Sequence, residues 1–260
     1  MDLNRVLESA VRAAEEAGKL LMSYTGRALQ AEAKSTGNFV SQADRASEDL
    51  IRQRLLRDFP NSHVLGEEGG ETPGSSGLTW IVDPLDGTNN FLHGVPHWAV
   101  SIGATYKGIP VVGVIHHPPM GELFSARLGD GADLNGRRIR VSGVRRFPEA
   151  LLATGFSYDE GEALRRSIKM FQAFQDHGQT LRRPGAAALD LAYVAAGRFD
   201  GYWESGLKPW DCAAGIVLVK EAGGTVSDYA GRPYEIGDND ILVSNGALHE
   251  EMLRRLKPFA

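Results

Sequence analysis

Four blocks of the chain, "LTWIV" (78–82), "WAVSIGATY" (98–106), "VVGVIHH" (111–117) and "ELFSARL" (122–128), carry β-branched and aromatic residues at strand spacing. They are joined by connections bearing Gly or Pro, "KGIP" among them, and so predict a meander of antiparallel strands. Ahead of it, Leu3, Val6, Leu7, Ala10, Val11, Ala14, Ala17 and Leu21 recur at three and four, the spacing of a helix with one buried face. A second helix is predicted over about 44–57, stopped by "FPNS". Between them "KSTGNFVSQAD" has the Gly and Asn of a turn, with Phe39 and Val40 too few to predict a strand, and "ETPGSSG" (71–77) reads as a surface loop.

After "NGRRIRVS" the pattern alternates. Strands are predicted at "ALLAT", "QTLRR", "FDGYW", "TVSD" and "ILVSN", with helices over about 162–176, 185–196 and 210–222 and a last one at the C-terminal end. The second half therefore reads as layered α/β. A boundary near residue 143 divides the chain into 1–143, an α+β unit with the antiparallel sheet, and 144–260, an α/β unit; with no flexible linker they are expected to pack as one body around a cleft.

At 260 residues the chain is long enough for a large core, and its charge of −5, with acids and bases mixed along it, supplies no basic footprint for nucleic acid or an anionic membrane. A lone cysteine, Cys212, rules out an intramolecular disulfide framework and suits a reducing compartment. The N-terminal segment is amphipathic and no apolar run reaches spanning length, so the chain is read as cytoplasmic and without a membrane.

The chemistry lies in the acids at element ends: Glu67 and Glu68 in "LGEEGG", Asp83 and Asp86 in "WIVDPLDGTNNF", and Asp211 in "KPWDCAAG". Any one of them alone reads as a helix cap or a solvated charge. The pair is harder to dismiss, because Pro84 restricts the backbone and Gly87 permits a sharp turn, giving two repelling carboxylates a defined geometry. An all-oxygen set suits a hard cation, with Mg²⁺ the usual choice where phosphate is handled. His93 and His97 lack partners at zinc spacing, and Cys212 has no neighbouring base to make it a nucleophile. If "GTNN" opens a helical turn, the Gly87 and Thr88 amides are placed to hold phosphate oxygens without a Walker motif.

"GEE", "WIVDPLDGTNNF" and "WDCAAGIVLVKEAGG", in this order, together with "GDGADLNGRRIRVS" and "RRPGAAALDLAYVAAGRFDGYWE", resemble the inositol monophosphatase family of Mg²⁺-dependent, lithium-sensitive phosphatases over nearly the whole chain. The resemblance implies a layered αβαβα sandwich of mixed α/β class, of the inositol monophosphatase and fructose-1,6-bisphosphatase type, and a homodimer. It implies two or three Mg²⁺ ions held by Glu67, Asp83, the Leu85 carbonyl, Asp86 and Asp211. By the same resemblance Glu67, Thr88 and Asp44 are the catalytic residues, Glu67 and Thr88 positioning and activating the attacking water. Asp86, Gly87, Thr88, Arg183, Gly185, Ala187, Glu204 and Asp211 face the substrate, a small phosphate monoester. Lys34 and Ser35 match a loop that closes over the site. Asn38 and Ser41 stand where the family carries Asp and Thr, and Ala186 stands where some relatives have a hydroxyl. Inositol 1-phosphate is the expected substrate. Histidinol phosphate, fructose 1,6-bisphosphate and adenosine bisphosphate are alternatives within the superfamily, and a regulatory protein of the transcription machinery is the alternative outside it.

Overall fold

The computed structural model describes residues 1–27, 31–35, 38–156 and 161–260. The chain begins with helix α1 (Leu3–Tyr24), a short hairpin of β1 (Ala31–Ser35) and β2 (Asn38–Ser41), and helix α2 (Gln42–Asp58). Strands β3 (His63–Gly66), β4 (Gly70–Thr72) and β5 (Leu78–Asp86) lead to the one-turn helix α3 (Thr88–Leu92). The meander follows as β6 (Ala99–Tyr106), β7 (Ile109–His117), β8 (Glu122–Arg127), β9 (Gly131–Leu134) and β10 (Arg137–Ile139). The rest of the chain comprises β11 (Leu151–Thr154), α4 (Glu162–Gln175), β12 (Thr180–Arg182), α5 (Ala187–Ala195), β13 (Gly201–Ser205), α6 (Pro209–Glu221), β14 (Thr225–Ser227), β15 (Asp240–Ser244) and α7 (His249–Leu256).

The larger sheet has the order β10-β9-β8-β7-β6-β5-β3-β4 and is antiparallel except where β3 runs parallel to β5. The smaller sheet, β12-β11-β13-β15-β14, mixes parallel and antiparallel pairs. Three apolar clusters stack the layers. Val6, Ala10, Ala17 and Ile51 of α1 and α2 pack on Trp80, Val100 and Val112 from one face of the large sheet. Its other face, with Ala99, Ile115 and Phe124, shares a cluster with α5, α6 and the smaller sheet through Leu191, Ile216, Tyr202 and Val243. Met170, Phe174 and Met252 of α4 and α7 cover the far side of the smaller sheet against Trp203 and Leu242. The result is the αβαβα sandwich, and two glycines allow its tightest contact: a Cβ on Gly103 would stand 2.8 Å from the Ala213 Cβ, and one on Gly113 would strike the Ala214 carbonyl.

Two pairings differ from the sequence expectation. Phe39 and Val40, read as part of a turn, lie in β2, and "HVLG" and "GET" form the β3–β4 pair. Strands of three to five residues carry too few period-two positions to show above the background, and it is partner strands that stabilise them.

Away from the cavity, the buried imidazole of His249 is bracketed by Ser227 Oγ at 2.9 Å from Nε2 and Ser244 Oγ at 2.9 Å from Nδ1. Burial holds its pKa below the ordinary value. Between that lowered value and the unfolded value of about 6.5 the folded chain binds fewer protons, so this contribution is whole above about pH 6.5 and is lost as pH falls through the folded pKa. His249→Gln removes the titration. Thermal melts should show its deficit against wild type shrinking from pH 7 to pH 5; a deficit that widens on acidification contradicts the assignment.

Candidate active site

The large sheet delivers the two aspartates through a bulge. In the β5–β6 register Asp83 faces Ser101 and Asp86 faces Ala99, three steps on one strand against two on the other. In a regular strand residues three apart point to opposite faces; the extra residue restores parity, so both carboxylates share the face that meets α5 and α6. Pro84 and Leu85 lie within the bulge, where a missing N–H breaks no ladder bond.

Each carboxylate is aimed by the backbone. The Leu85 amide donates to Asp83 Oδ1 at 3.0 Å, and the Leu189 amide in the first turn of α5 donates to Asp86 Oδ2 at 3.2 Å. The Lys208 amide donates to Asp211 Oδ2 at 2.6 Å. Asp211 thus also caps α6, so the modest reading of an acid near a helix start and the chemical reading hold together.

These acids line a cavity of about 590 Å³, as do Glu67, Leu85, Gly87 and Thr88. The second half of the chain also lines it with Arg183, Gly185, Ala186, Ala187 and Glu204. Asp44 stands behind the cavity wall: its Oδ2 accepts from the Ser41 amide at 2.9 Å and the Ser41 hydroxyl at 2.6 Å, while its Oδ1 lies 2.7 Å from Thr88 Oγ1. That hydroxyl is also 3.1 Å from the Leu85 carbonyl, and the shorter, charge-assisted bond to Asp44 takes its single proton. Every catalytic, metal-binding and substrate-facing residue selected from the sequence is therefore at the cavity or bonded to a residue that is. The side chains of Lys34, Ser35 and Asn38 lie outside the described residues.

The electrostatics are those of a crowded anionic site. Burial raises the Asp83 carboxyl well above its ordinary range, and the charges of Glu67, Asp86 and Asp211 add to it. Asp86 is pushed up to about 8, first by burial, against the restraining amide bonds from α5. Asp211 reaches about 8, again chiefly by burial, with Asp86 and Glu67 repelling it. Glu204, pushed up to about 8 by burial, accepts a hydrogen bond from Tyr202. Four mutually repelling oxygen groups lining one cavity are the donor chemistry of a hard cation. Among the described residues no three acid, imidazole or thiol groups are already drawn into one ligand cluster. The acids surround the cavity and repel across it.

Several residues at the site escape sequence reading. Asn90 donates through Nδ2 to the His97 carbonyl at 2.8 Å and the Pro184 carbonyl at 3.0 Å, tying α3 to the segment that holds Gly185. Asp190 lines the cavity, with His97 Nε2 at 3.2 Å. Burial depresses His97 to about 4, so its imidazole is neutral near neutral pH, and burial also raises the Asp190 carboxyl above its ordinary range. Gly155 faces the Glu204 carboxylate where any side chain would collide. Glu48, buried in α2, contacts the turn after Glu67. One signal was available: Asp44, Glu48 and Arg52 repeat at four and share a face of α2. Cys212 is buried, with its thiol pushed up to about 12, as expected of an inert residue. Among the described residues no helix is long and apolar enough to cross a membrane.

Comparison with known proteins agrees with this architecture. The model of the inositol monophosphatase family matches residues 2–258. The chain is 43% identical to Nus factor SuhB of Pseudomonas aeruginosa, over 97% of this chain and 96% of the relative. It is 42% identical to inositol-1-monophosphatase of Synechocystis sp., over 98% and 90%. Among solved structures, the extragenic suppressor protein suhB of Bartonella henselae superposes with a TM-score of 0.92 at 42% identity, over 97% of this chain and 98% of that one. The chain belongs to the inositol monophosphatase family, a family of phosphatases.

Proposed function

We propose that the chain hydrolyses a phosphate monoester, with inositol 1-phosphate or a similar polyol phosphate as its preferred substrate. The observation that carries this reading is the convergence of Glu67, Asp83, Asp86 and Asp211 on one cavity that is also lined by Arg183 and Glu204. The family is generally Mg²⁺-dependent, and the donor set here fits that ion. Glu67, Asp83, the Leu85 carbonyl, Asp86 and Asp211 would hold two or three such ions. Bound there, Mg²⁺ would lower the pKa of a water molecule and neutralise charge on the phosphate and the leaving oxygen.

The chain's own groups do the rest. Because the Thr88 hydroxyl donates its hydrogen to Asp44, the Thr88 oxygen keeps lone pairs to accept a hydrogen bond from the attacking water, with Glu67 beside the same cavity as the second acceptor. The first amides of α3, at Gly87 and Thr88, have no acceptor within their own helix and suit phosphate oxygens. Glu204, fixed by Tyr202, accepts from substrate hydroxyls, while Arg183, its guanidinium 5.7 Å over the Phe156 ring, and the Gly185–Ala187 backbone line the pocket. We place this site between two lobes, 1–143 and 144–260, and take a homodimer in the cytoplasm as the working form.

The test is a panel of inositol 1-phosphate, histidinol phosphate, fructose 1,6-bisphosphate and adenosine bisphosphate, compared by kcat/KM with Mg²⁺. Inositol 1-phosphate should lead; a strong preference for histidinol phosphate overturns the substrate assignment. A second reading, a regulatory protein that associates with transcription machinery, is favoured by the name Nus factor SuhB borne by relatives of 40–43% identity. Complementation of a deletion strain by an Asp83→Asn variant would establish that role as separate from turnover.

A further inference from the structure

We propose that Glu48 and Arg52 of α2 are positioning residues that hold the turn between β3 and β4 in the conformation that presents Glu67 to the cavity. This rests on Glu67 being a cation ligand. Glu48 is 2% exposed, and both of its oxygens are committed to the turn: Oε2 accepts from the Glu68 amide at 2.7 Å and Oε1 from the Gly69 amide at 2.8 Å. Arg52, one helical turn on, donates from Nη2 to Glu48 Oε1 at 2.7 Å and to the Gly70 carbonyl at 2.9 Å, and from Nη1 to the Thr72 hydroxyl. Two residues spaced by four on α2 thus engage residues 68, 69, 70 and 72. On the other side, the Glu67 amide donates to the Val82 carbonyl at 3.2 Å, so its backbone is held between β5 and the α2 clamp.

The glycines of "LGEEGG" fit this device. A Cβ on Gly66 would overlap the Glu48 carboxylate, and one on Gly69 would stand 2.6 Å from Oε1. The turn is free of side chains where the carboxylate sits. Burying that carboxylate is costly unless it is paired and fully hydrogen-bonded, and here Arg52 and two amides meet both needs. Glu48 is not among the residues lining the cavity, whereas Glu67 and Glu68 are, so it acts through the turn and not on substrate. An ordinary ion pair tying α2 to the sheet would affect stability alone. A clamp on a ligand-bearing turn must also affect cation affinity.

In Glu48→Gln the side chain keeps one acceptor for two amides and sets an NH₂ group against an N–H. The experiment titrates Mn²⁺ into substrate-free protein and follows the free ion by electron paramagnetic resonance, with melting temperatures measured in parallel. Ser9→Ala, which removes the 2.8 Å bond from α1 to Asp58 on α2, serves as a control for stability. Glu48→Gln should weaken Mn²⁺ binding about tenfold or more, the lower end of what outer partners of metal ligands contribute. Arg52→Lys, which keeps the charge and loses the fork, should fall between it and wild type, and it stands in if Glu48→Gln does not fold. Wild-type Mn²⁺ affinity in both variants, or an equal loss in Ser9→Ala, overturns the proposal. Glu67→Gln is run alongside: if it too binds Mn²⁺ like wild type, the ligand assignment itself fails, whereas its loss of binding with Glu48→Gln intact defeats only the clamp.

Discussion

Asp83→Asn and Asp86→Asn should each lower Mg²⁺-dependent turnover beyond the range of about 10–100-fold that loss of an outer partner costs, while leaving the fold in place. The reasons are separable. Asparagine keeps the shape of the side chain and one oxygen, so the Leu85 amide still finds an acceptor at position 83 and the Leu189 amide at position 86. Asp83 is 2% exposed and Asp86 7%, and each is repelled by neighbouring acids. Replacing either by a neutral amide relieves that repulsion, so the melting temperature without Mg²⁺ should hold or rise. The rise that Mg²⁺ induces should shrink, because a ligand stabilises only in proportion to its affinity for the folded state. Calorimetry with and without Mg²⁺, beside turnover at saturating substrate, distinguishes these effects. Near-wild-type Mg²⁺-dependent turnover in either variant would falsify the ligand assignment.

Gly87→Ala should lower turnover and stability together. Gly87 has φ +89°, in the left-handed region, where an L side chain costs about 1–2 kcal/mol. The added Cβ would also stand 2.9 Å from the His97 carbonyl, 3.2 Å from the Ala186 Cβ and 3.3 Å from the Trp98 Cα. Two of those three neighbours are backbone atoms of the segment entering β6, so relief must come from moving Gly87 itself. That movement carries the Gly87 and Thr88 amides, and with them the Thr88 hydroxyl that Asp44 orients. We expect kcat/KM to fall by at least about tenfold, one 1.4 kcal/mol step on the transition-state scale, together with a lower melting temperature. Gly94→Ala is the comparison, since it is also left-handed, at φ +70°, with nothing within 4 Å of its Cβ position. It should cost stability and spare kcat/KM; equal losses in the two variants would mean that only backbone strain is being measured.

Much of this site was legible in the residues because its chemistry is local. "DPLDGT" holds two acids, a proline, a bulge residue and a left-handed glycine within six positions, and "KPWDCAAG" places Asp211 at N3 of a helix that starts with Pro209. The long helices and the meander were legible for a related reason, since periods of 3.6 and 2 recur often enough within each element to be counted. Glu48 was not. A buried glutamate on a helix of mostly polar composition looks like any solvated charge until the turn that it engages is brought to it from residues 68–72. Asp190 and Gly155 were obscure in the same way, because His97 and Glu204 reach them from 93 and 49 positions away.

By itself the sequence determined which groups this protein has and how each is held by its nearest neighbours along the chain: an oxygen-only donor set, aspartates flanked by turn residues, and helices that begin on capped acids. Only the tertiary structure decided that Asp83 and Asp86 share a face, because that depends on a register shift against β6. Only the tertiary structure set Glu67 and Asp211 beside them, on a strand-pair turn and on the first turn of α6. Local propensity acts within a few residues and is written in composition and spacing. The repulsion among these acids arises between residues up to 144 positions apart, and it exists only once the sheets and helices have packed.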